Sequence, residues 1–152
     1  MEQDEAAAKP YSYRNLDLWQ RPQELALGVI KMTEALPTTQ AARTISRQIV
    51  SSAGSVAANI AEGHGRFSVA AYRNHLSIAR GSVAETDSWL DLLARAGYVS
   101  AARAEELHQE CQVLTGALTR RMKTLEARLR TDKGRALRED GVAYLADEER
   151  AE

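Results

Sequence analysis

Few side chains in this 152-residue chain have the type and spacing to do chemistry. Glu105-x-x-His108 has the carboxylate–imidazole spacing of a di-iron helical bundle. Such a site takes a second pair of this kind and two further Glu from facing helices. His64 and His75 have no Glu three residues before them, so Glu105 and His108 read as a surface pair. Cys111 would be a nucleophile only beside a base, and it falls on an apolar helical stripe where an inert thiol belongs. Gly63-His64-Gly65-Arg66 has the look of a phosphate loop, but Gly-Lys-Ser/Thr after a strand is missing and the flanks are helical. No Gly-x-Ser-x-Gly elbow occurs, and three His leave little scope for a triad. The sequence therefore predicts a protein that is not an enzyme, with no metal and no cofactor.

Two polar groupings remain. Arg120, Arg121, Lys123, Arg128 and Arg130 stand near the end of the last helical pattern with Glu126 as the acid among them. They are candidate nucleic-acid contacts, acting by charge and counterion release. The competing role is to complement a helix dipole at its C-terminus. Asn59, Glu62, Gly63 and Arg66, with His64 between them, read as a hydrogen-bonded turn that sets where the next helix departs. A ligand pocket is the alternative there.

The elements that must position these residues are four amphipathic helices. Leu18, Leu25, Val29, Met32 and Leu36 make one stripe, with Pro22 expected within the first turn or so, and Leu36-Pro37-Thr38-Thr39 ends it and caps the next helix. Ile45, Ile49, Ser52, Val56 and Ile60 make the second; its small run Ser51-Ser52-Ala53-Gly54-Ser55 predicts a close neighbouring backbone, and Gly63 and Gly65 predict left-handed C-capping. After a Ser68 cap, Tyr72, Leu76, Ala79, Val83, Thr86, Leu90 and Leu93 repeat four-three over three heptads, up to Gly97. Gly81, inside that helix, is expected at a close helix–helix contact. Ser100 opens the fourth stripe: Leu107, Cys111, Leu114, Leu118, Met122, Leu125 and Leu129. Short links between long helices predict an all-α, antiparallel, up-down-up-down four-helix bundle.

Residues 14–130 form that bundle, with a surplus of basic over acidic side chains, while residues 1–13 and 131–152 are acidic. Both ends hold too little apolar area to offset ordering and are expected to be tails, with Val142, Tyr144 and Leu145 as a stub that docks. A single Cys excludes a disulfide framework. No apolar run has the length of about 20 residues that spans a bilayer, and the acidic start is unlike a secretory signal. A cytoplasmic location without membrane contact is the expectation. Trp89 and Leu92 lie off the third stripe and Trp19 sits near the start of the first, so these three are candidate oligomer-interface residues.

Leu16-Asp17-Leu18-Trp19-Gln20, Ile49-Val50-Ser51-Ser52-Ala53, Asn59-Ile60-Ala61-Glu62-Gly63 and Gly65-Arg66 together resemble the 23S rRNA-intervening sequence proteins, also called the four-helix-bundle protein family. Ile78-Ala79-Arg80-Gly81-Ser82-Val83-Ala84-Glu85 and Ala96-Gly97-Tyr98 are similar to its third-helix signature. The chain departs from the pattern at Pro22, where a helix former is usual, and at Ala57-Ala58, where Pro-Ser is common. The resemblance implies a bundle that assembles as a homopentameric ring. It also implies kinship with the accessory protein of diversity-generating retroelements, which binds nucleic acid and a reverse transcriptase; it brings no catalytic residues. Two functions follow as expectations: an oligomeric bundle that binds RNA or DNA through a mildly basic surface, or a protein-binding adaptor ring without nucleic-acid contact.

Overall fold

The computed structural model describes residues 12–148, with side chains described to residue 135. A single 3-10 turn, Tyr13–Asn15, precedes α1 (Asp17–Glu34), α2 (Gln40–His64), α3 (Val69–Arg95) and α4 (Ala101–Glu148). There is no strand among the described residues. Each helix lies against its two neighbours in an up-down-up-down order; α2–α3 is the most extensive pairing and α1–α4 the least. No described helix is long and apolar enough to cross a membrane.

The four stripes meet in one core. Leu25, Val29, Ile49, Val56, Ile60, Leu76, Val83, Leu90, Leu93, Leu114, Leu118 and Leu125 are its largest fully buried side chains. Burying each is worth about 1.5–3 kcal/mol, and the spacing of three and four places them all on inward faces. The links are held by side-chain caps. Thr39 Oγ1 accepts from the Ala42 N–H at 3.1 Å, Ser68 Oγ from the Ala71 N–H at 3.1 Å, and Ser100 Oγ from the Arg103 N–H at 3.2 Å. Each satisfies a donor that the first helical turn leaves open.

Several expectations change. Pro22 is buried in the second turn of α1 rather than the first, so the Leu18 carbonyl loses its usual helical donor. Gly63 is helical and Gly65 has φ −77°, so neither is left-handed; Gly97, at φ 71°, is the one positive-φ residue of the described chain. Gly54 and Gly81 face open space with nothing within 4 Å of an added Cβ, so neither makes the close contact its position suggests. The close approach is at Gly63, where a Cβ would lie 2.6 Å from the His75 Cβ and 3.0 Å from Tyr72 Cδ2. Helical period alone does not say which outward position has a neighbour.

The ends also differ. Ser12 caps the 3-10 turn and Tyr13 opens it. The fourth helix runs on to Glu148, past the boundary expected at residue 130. Once a helix is nucleated, each added residue gains a hydrogen bond, so loss of the apolar stripe does not by itself end it. Residues 1–11 and 149–152, and the side chains of the Val142, Tyr144 and Leu145 stub, lie outside the description.

Polar clamps tie α4 to the rest. Arg21 of α1 pairs with Glu110 through both guanidinium and carboxylate branches, and Arg103 donates to the Gly28 carbonyl at 3.2 Å. His108 Nδ1–H donates to the Asp87 carboxylate of α3, and His108 Nε2 faces the Gln112 amide at 2.7 Å. The Asp87 hydrogen bond, reinforced by the charges of Asp87, Glu105 and Asp91 and opposed by some desolvation, raises the His108 pKa above its ordinary 6.5.

Two predictions follow from this packing. Gly63→Ala should destabilise by roughly 1–3 kcal/mol through overpacking, whereas Gly54→Ala, with open space around it, should stabilise by about 1 kcal/mol through helix propensity; thermal unfolding of the two variants checks the contrast. For His108, a raised native pKa means that its contribution is complete below the unfolded value and is lost as pH rises through the native one. The melting-temperature difference between the natural chain and His108→Gln should therefore be largest below about pH 6 and shrink toward alkaline pH. A difference independent of pH would rule out the charged pair.

Candidate nucleic-acid interface

The antiparallel order brings the start of α1, the α2–α3 link and the later part of α4 to one end of the bundle. Residues 12–25, 53–82 and 116–135, which build this end, hold twelve Lys and Arg against five Asp and Glu, and the continuation of α4 over residues 136–148 adds one basic and four acidic residues. Residues 26–52 and 83–115, which build the other, hold five against seven. A chain with a formal net charge of −1 thus folds into a bundle with a basic pole. The field of such a pole favours polyanions even though the net charge is near zero.

All five cations picked out from sequence lie at this pole, but not on one stripe. At about 100° per residue, Arg121 and Arg128 share one flank of α4, Lys123 and Arg130 another, and Arg120 points between them away from the core. Arg120, Lys123 and Arg128 make no ion pair among the described residues. Arg130 pairs with Glu126 at 3.0 Å, and Glu126 also takes Arg73 of α3 at 3.6 Å. Arg73 is a residue that sequence spacing does not reveal, since it reaches the cluster only when α3 packs on α4. The α4 helix continues well past these residues. A dipole effect is confined to the last turn, so C-terminal complementation does not account for cations placed here in mid-helix.

Aromatic rings interleave with the charges. Trp19 meets Tyr13 edge-on with centroids 5.2 Å apart, Tyr13 meets His64 at 6.4 Å, and His64 meets Tyr72 at 6.2 Å. The Arg14 guanidinium lies 5.8 Å from the Tyr13 centroid and that of Arg121 lies 5.7 Å from Tyr72. Cation–π contact of this kind fixes an arginine without consuming its charge. Between α1 and α4 a groove of about 410 Å³ opens beside this cluster, floored by Leu18, Leu114 and Ala117 and rimmed by Arg21, Arg120 and Arg121 together with Asp17 and Thr124.

The turn grouping is assembled largely as a hydrogen-bonded unit. Asn59 donates from Nδ2 to the Ser55 carbonyl and hydroxyl, both at 2.9 Å, and its Oδ1 faces His75 Nδ1 at 3.5 Å. Glu62 pairs with Arg66 and lies 3.9 Å from His75 Nε2. His64 turns instead toward Tyr13 and Tyr72. The seam continues inward: Ser82 Oγ donates to Ser55 Oγ at 3.1 Å, and Thr86 Oγ1 to Ser52 Oγ at 2.9 Å. His75 is thus a partner that sequence reasoning missed, and it faces an amide and a carboxylate rather than a hydroxyl, so the seam sets no base against a nucleophile.

The other chemical candidates are similarly occupied. Cys111 is buried, and burial, with smaller contributions from Asp87 and Glu110, pushes its thiol up to about 12. That leaves it protonated near neutrality and a poor nucleophile. His108 is held by Asp87 rather than by Glu105. No group of three or more His, Cys, Asp and Glu among the described residues could hold a metal ion. Of the interface candidates, Trp19 and Trp89 are half-buried against the core and Leu92 is exposed.

Comparison with known proteins agrees with this architecture. A crystal structure of a protein of unknown function from the S23 ribosomal protein family of Bacteroides thetaiotaomicron is 28% identical, with a TM-score of 0.66, over 70% of this chain and 98% of that one. No curated protein matches. The model of the 23S rRNA-intervening sequence proteins matches residues 14–120, which take in α1 to α3, the first twenty residues of α4, the turn grouping and the first of the pole's α4 cations. The chain belongs to the 23S rRNA-intervening sequence protein family.

Proposed function

We propose that this protein is a non-enzymatic, nucleic-acid-binding bundle that engages RNA or DNA through its basic pole. One observation carries the reading: the bundle separates its charge along its length, and the cations gathered at one end include Arg120, Lys123 and Arg128, which no acid neutralises among the described residues. Arginines seated on aromatic rings beside them suit the phosphate backbone, since guanidinium binds phosphate in a planar fork. Each cation that neutralises a phosphate releases a counterion and adds about 0.7–0.9 to the slope of log affinity against log salt.

The partner set includes further copies of the chain. Ile78 and Leu92 are exposed, Trp89 is half-buried, and these three share one outward face of α3 with Gly81. Gly81 leaves room there for a second backbone. This is the close helix–helix contact absent within the subunit, supplied by a neighbour. Trp19 is taken up by the Tyr13 contact and is left out of the proposed face. A homopentameric ring is the assembly that the family resemblance implies. A cytoplasmic protein without membrane contact fits this reading.

Two measurements test these proposals. Filter binding of RNA and DNA across a salt series should show affinity that falls steeply with salt, and the triple variant Arg120→Gln, Lys123→Gln, Arg128→Gln should flatten the slope by roughly 2. Absence of binding at low salt would overturn the reading and leave the adaptor ring. Light scattering should give a mass of several chains, which Leu92→Glu lowers without lowering the melting point of the subunit. A natural chain that scatters as a single 16.7 kDa subunit would rule out assembly.

A further inference from the structure

The link between α2 and α3 carries the one Phe of the sequence, and this ring is fully exposed. Burying a Phe is worth about 1.5–3 kcal/mol, and at full exposure Phe67 stands well beyond the other large apolar side chains exposed among the described residues, which are all below half exposed. The link that carries it is hydrogen-bonded. The Gly65 N–H bonds to the Ala61 and Glu62 carbonyls at 3.1 Å, the Arg66 N–H to the Gly63 carbonyl at 3.1 Å, and the Tyr72 N–H to the Ser68 carbonyl at 3.0 Å. With Ser68 capping α3, Phe67 stands between two fixed helix ends. Its neighbour Arg66 is tied back to Glu62. The ring makes no aromatic contact among the described residues, whereas Tyr13, His64 and Tyr72 of the same pole all do.

We propose that Phe67 is a stacking platform for an unpaired nucleobase, so that the basic pole takes single-stranded RNA or DNA in preference to duplex. The inference rests on the nucleic-acid reading and specifies its ligand. A duplex offers phosphates to arginines but keeps its base faces covered, and an exposed ring gains nothing from them. A single strand offers both, and every base has a face that stacks on an aromatic ring. The short link on either side of the ring is already hydrogen-bonded, so little backbone freedom is lost when a base lands on it. The ring stands on the link that closes the basic end of the bundle, and the field of that end favours a polyanion over an apolar partner.

The test uses the full chain, fluorescein-labelled 20-nucleotide oligo-dT and oligo-U, and a 20-base-pair duplex, compared by anisotropy at low salt. The natural chain should prefer the single strands. Phe67→Ala should weaken single-strand binding by roughly 5- to 100-fold, leave duplex binding within a factor of two or so, and keep its melting point, while Phe67→Tyr should retain the preference. The charge-neutralised α4 variant should weaken both ligands. Equal loss on both ligands for Phe67→Ala, or no loss on either, overturns the stacking role while leaving the charge-based reading intact. A Phe67→Ala chain that scatters with a lower mass shows that the ring serves a second copy, which also overturns it. No binding of any probe by the natural chain overturns both readings.

Discussion

Between α2 and α3 the side chains become small, and the two helices close until Gly63 has no room for even a methyl group beside His75. That approach brings Ser52 to Thr86 and Ser55 to Ser82, so hydroxyls that would be costly in an apolar seam find one another. The consequences run outward from there. A tight α2–α3 pair fixes the short link between them, the link fixes the start of α3, and the start of α3 brings Arg73 and Tyr72 against α4. Loosening the seam would displace the aromatic–arginine cluster without touching any of its members.

The pole is a product of connectivity as much as of composition. Sequence neighbours of the α4 cations include acids further along the chain, and the total charge is close to zero. Antiparallel packing places the acidic start of α4, with Glu105 and Glu106, toward the opposite end from Arg120 and Arg121, while Glu110 reaches Arg21 at the border between the two. Charges separated by more than the Debye length of about 8–10 Å scarcely offset one another in physiological salt. A polyanion approaching this end would therefore meet the local charge, and net charge alone is a poor guide to what such a surface could bind.

The helices, their caps and the core were legible in the sequence because each depends on spacing within one segment. Leu76 to Leu93 on α3 and Leu107 to Leu125 on α4 are buried where the four-three repeat places them, and Ser68, Thr39 and Ser100 cap as their positions imply. The glycines were not legible. In a linear reading Gly63 is a helix cap and the close contacts fall at Gly54 and Gly81; only the packed neighbour shows the crowding to be at Gly63 and the other two to be open. The site was legible in part. The α4 cations stand out as a run, but Tyr13, His64 and Tyr72 come from three separate elements, and no periodicity links a 3-10 turn to the end of α2 and the first turn of α3. The length of α4 was missed because an apolar stripe reports a helix's partners, whereas helix propagation needs only its own hydrogen bonds.

Assembly and charge polarity bear on each other through symmetry. Copies related by a closed rotation carry the same end in the same direction along the axis, so a ring built on the outer face of α3 would set every basic pole on one side. The modest surplus of one subunit would then be repeated around a rim. A strand bound at one pole is presented to the next as an intramolecular partner, and such linkage raises avidity by 10²–10⁴ without any new contact. Individually weak phosphate contacts suffice under that arrangement. Among the described residues Arg120, Lys123 and Arg128 pair with no acid, while Arg130 and Arg73 share Glu126: the shared carboxylate ties α3 to α4, and the unshared cations would be the ones open to a polyanion in such a ring.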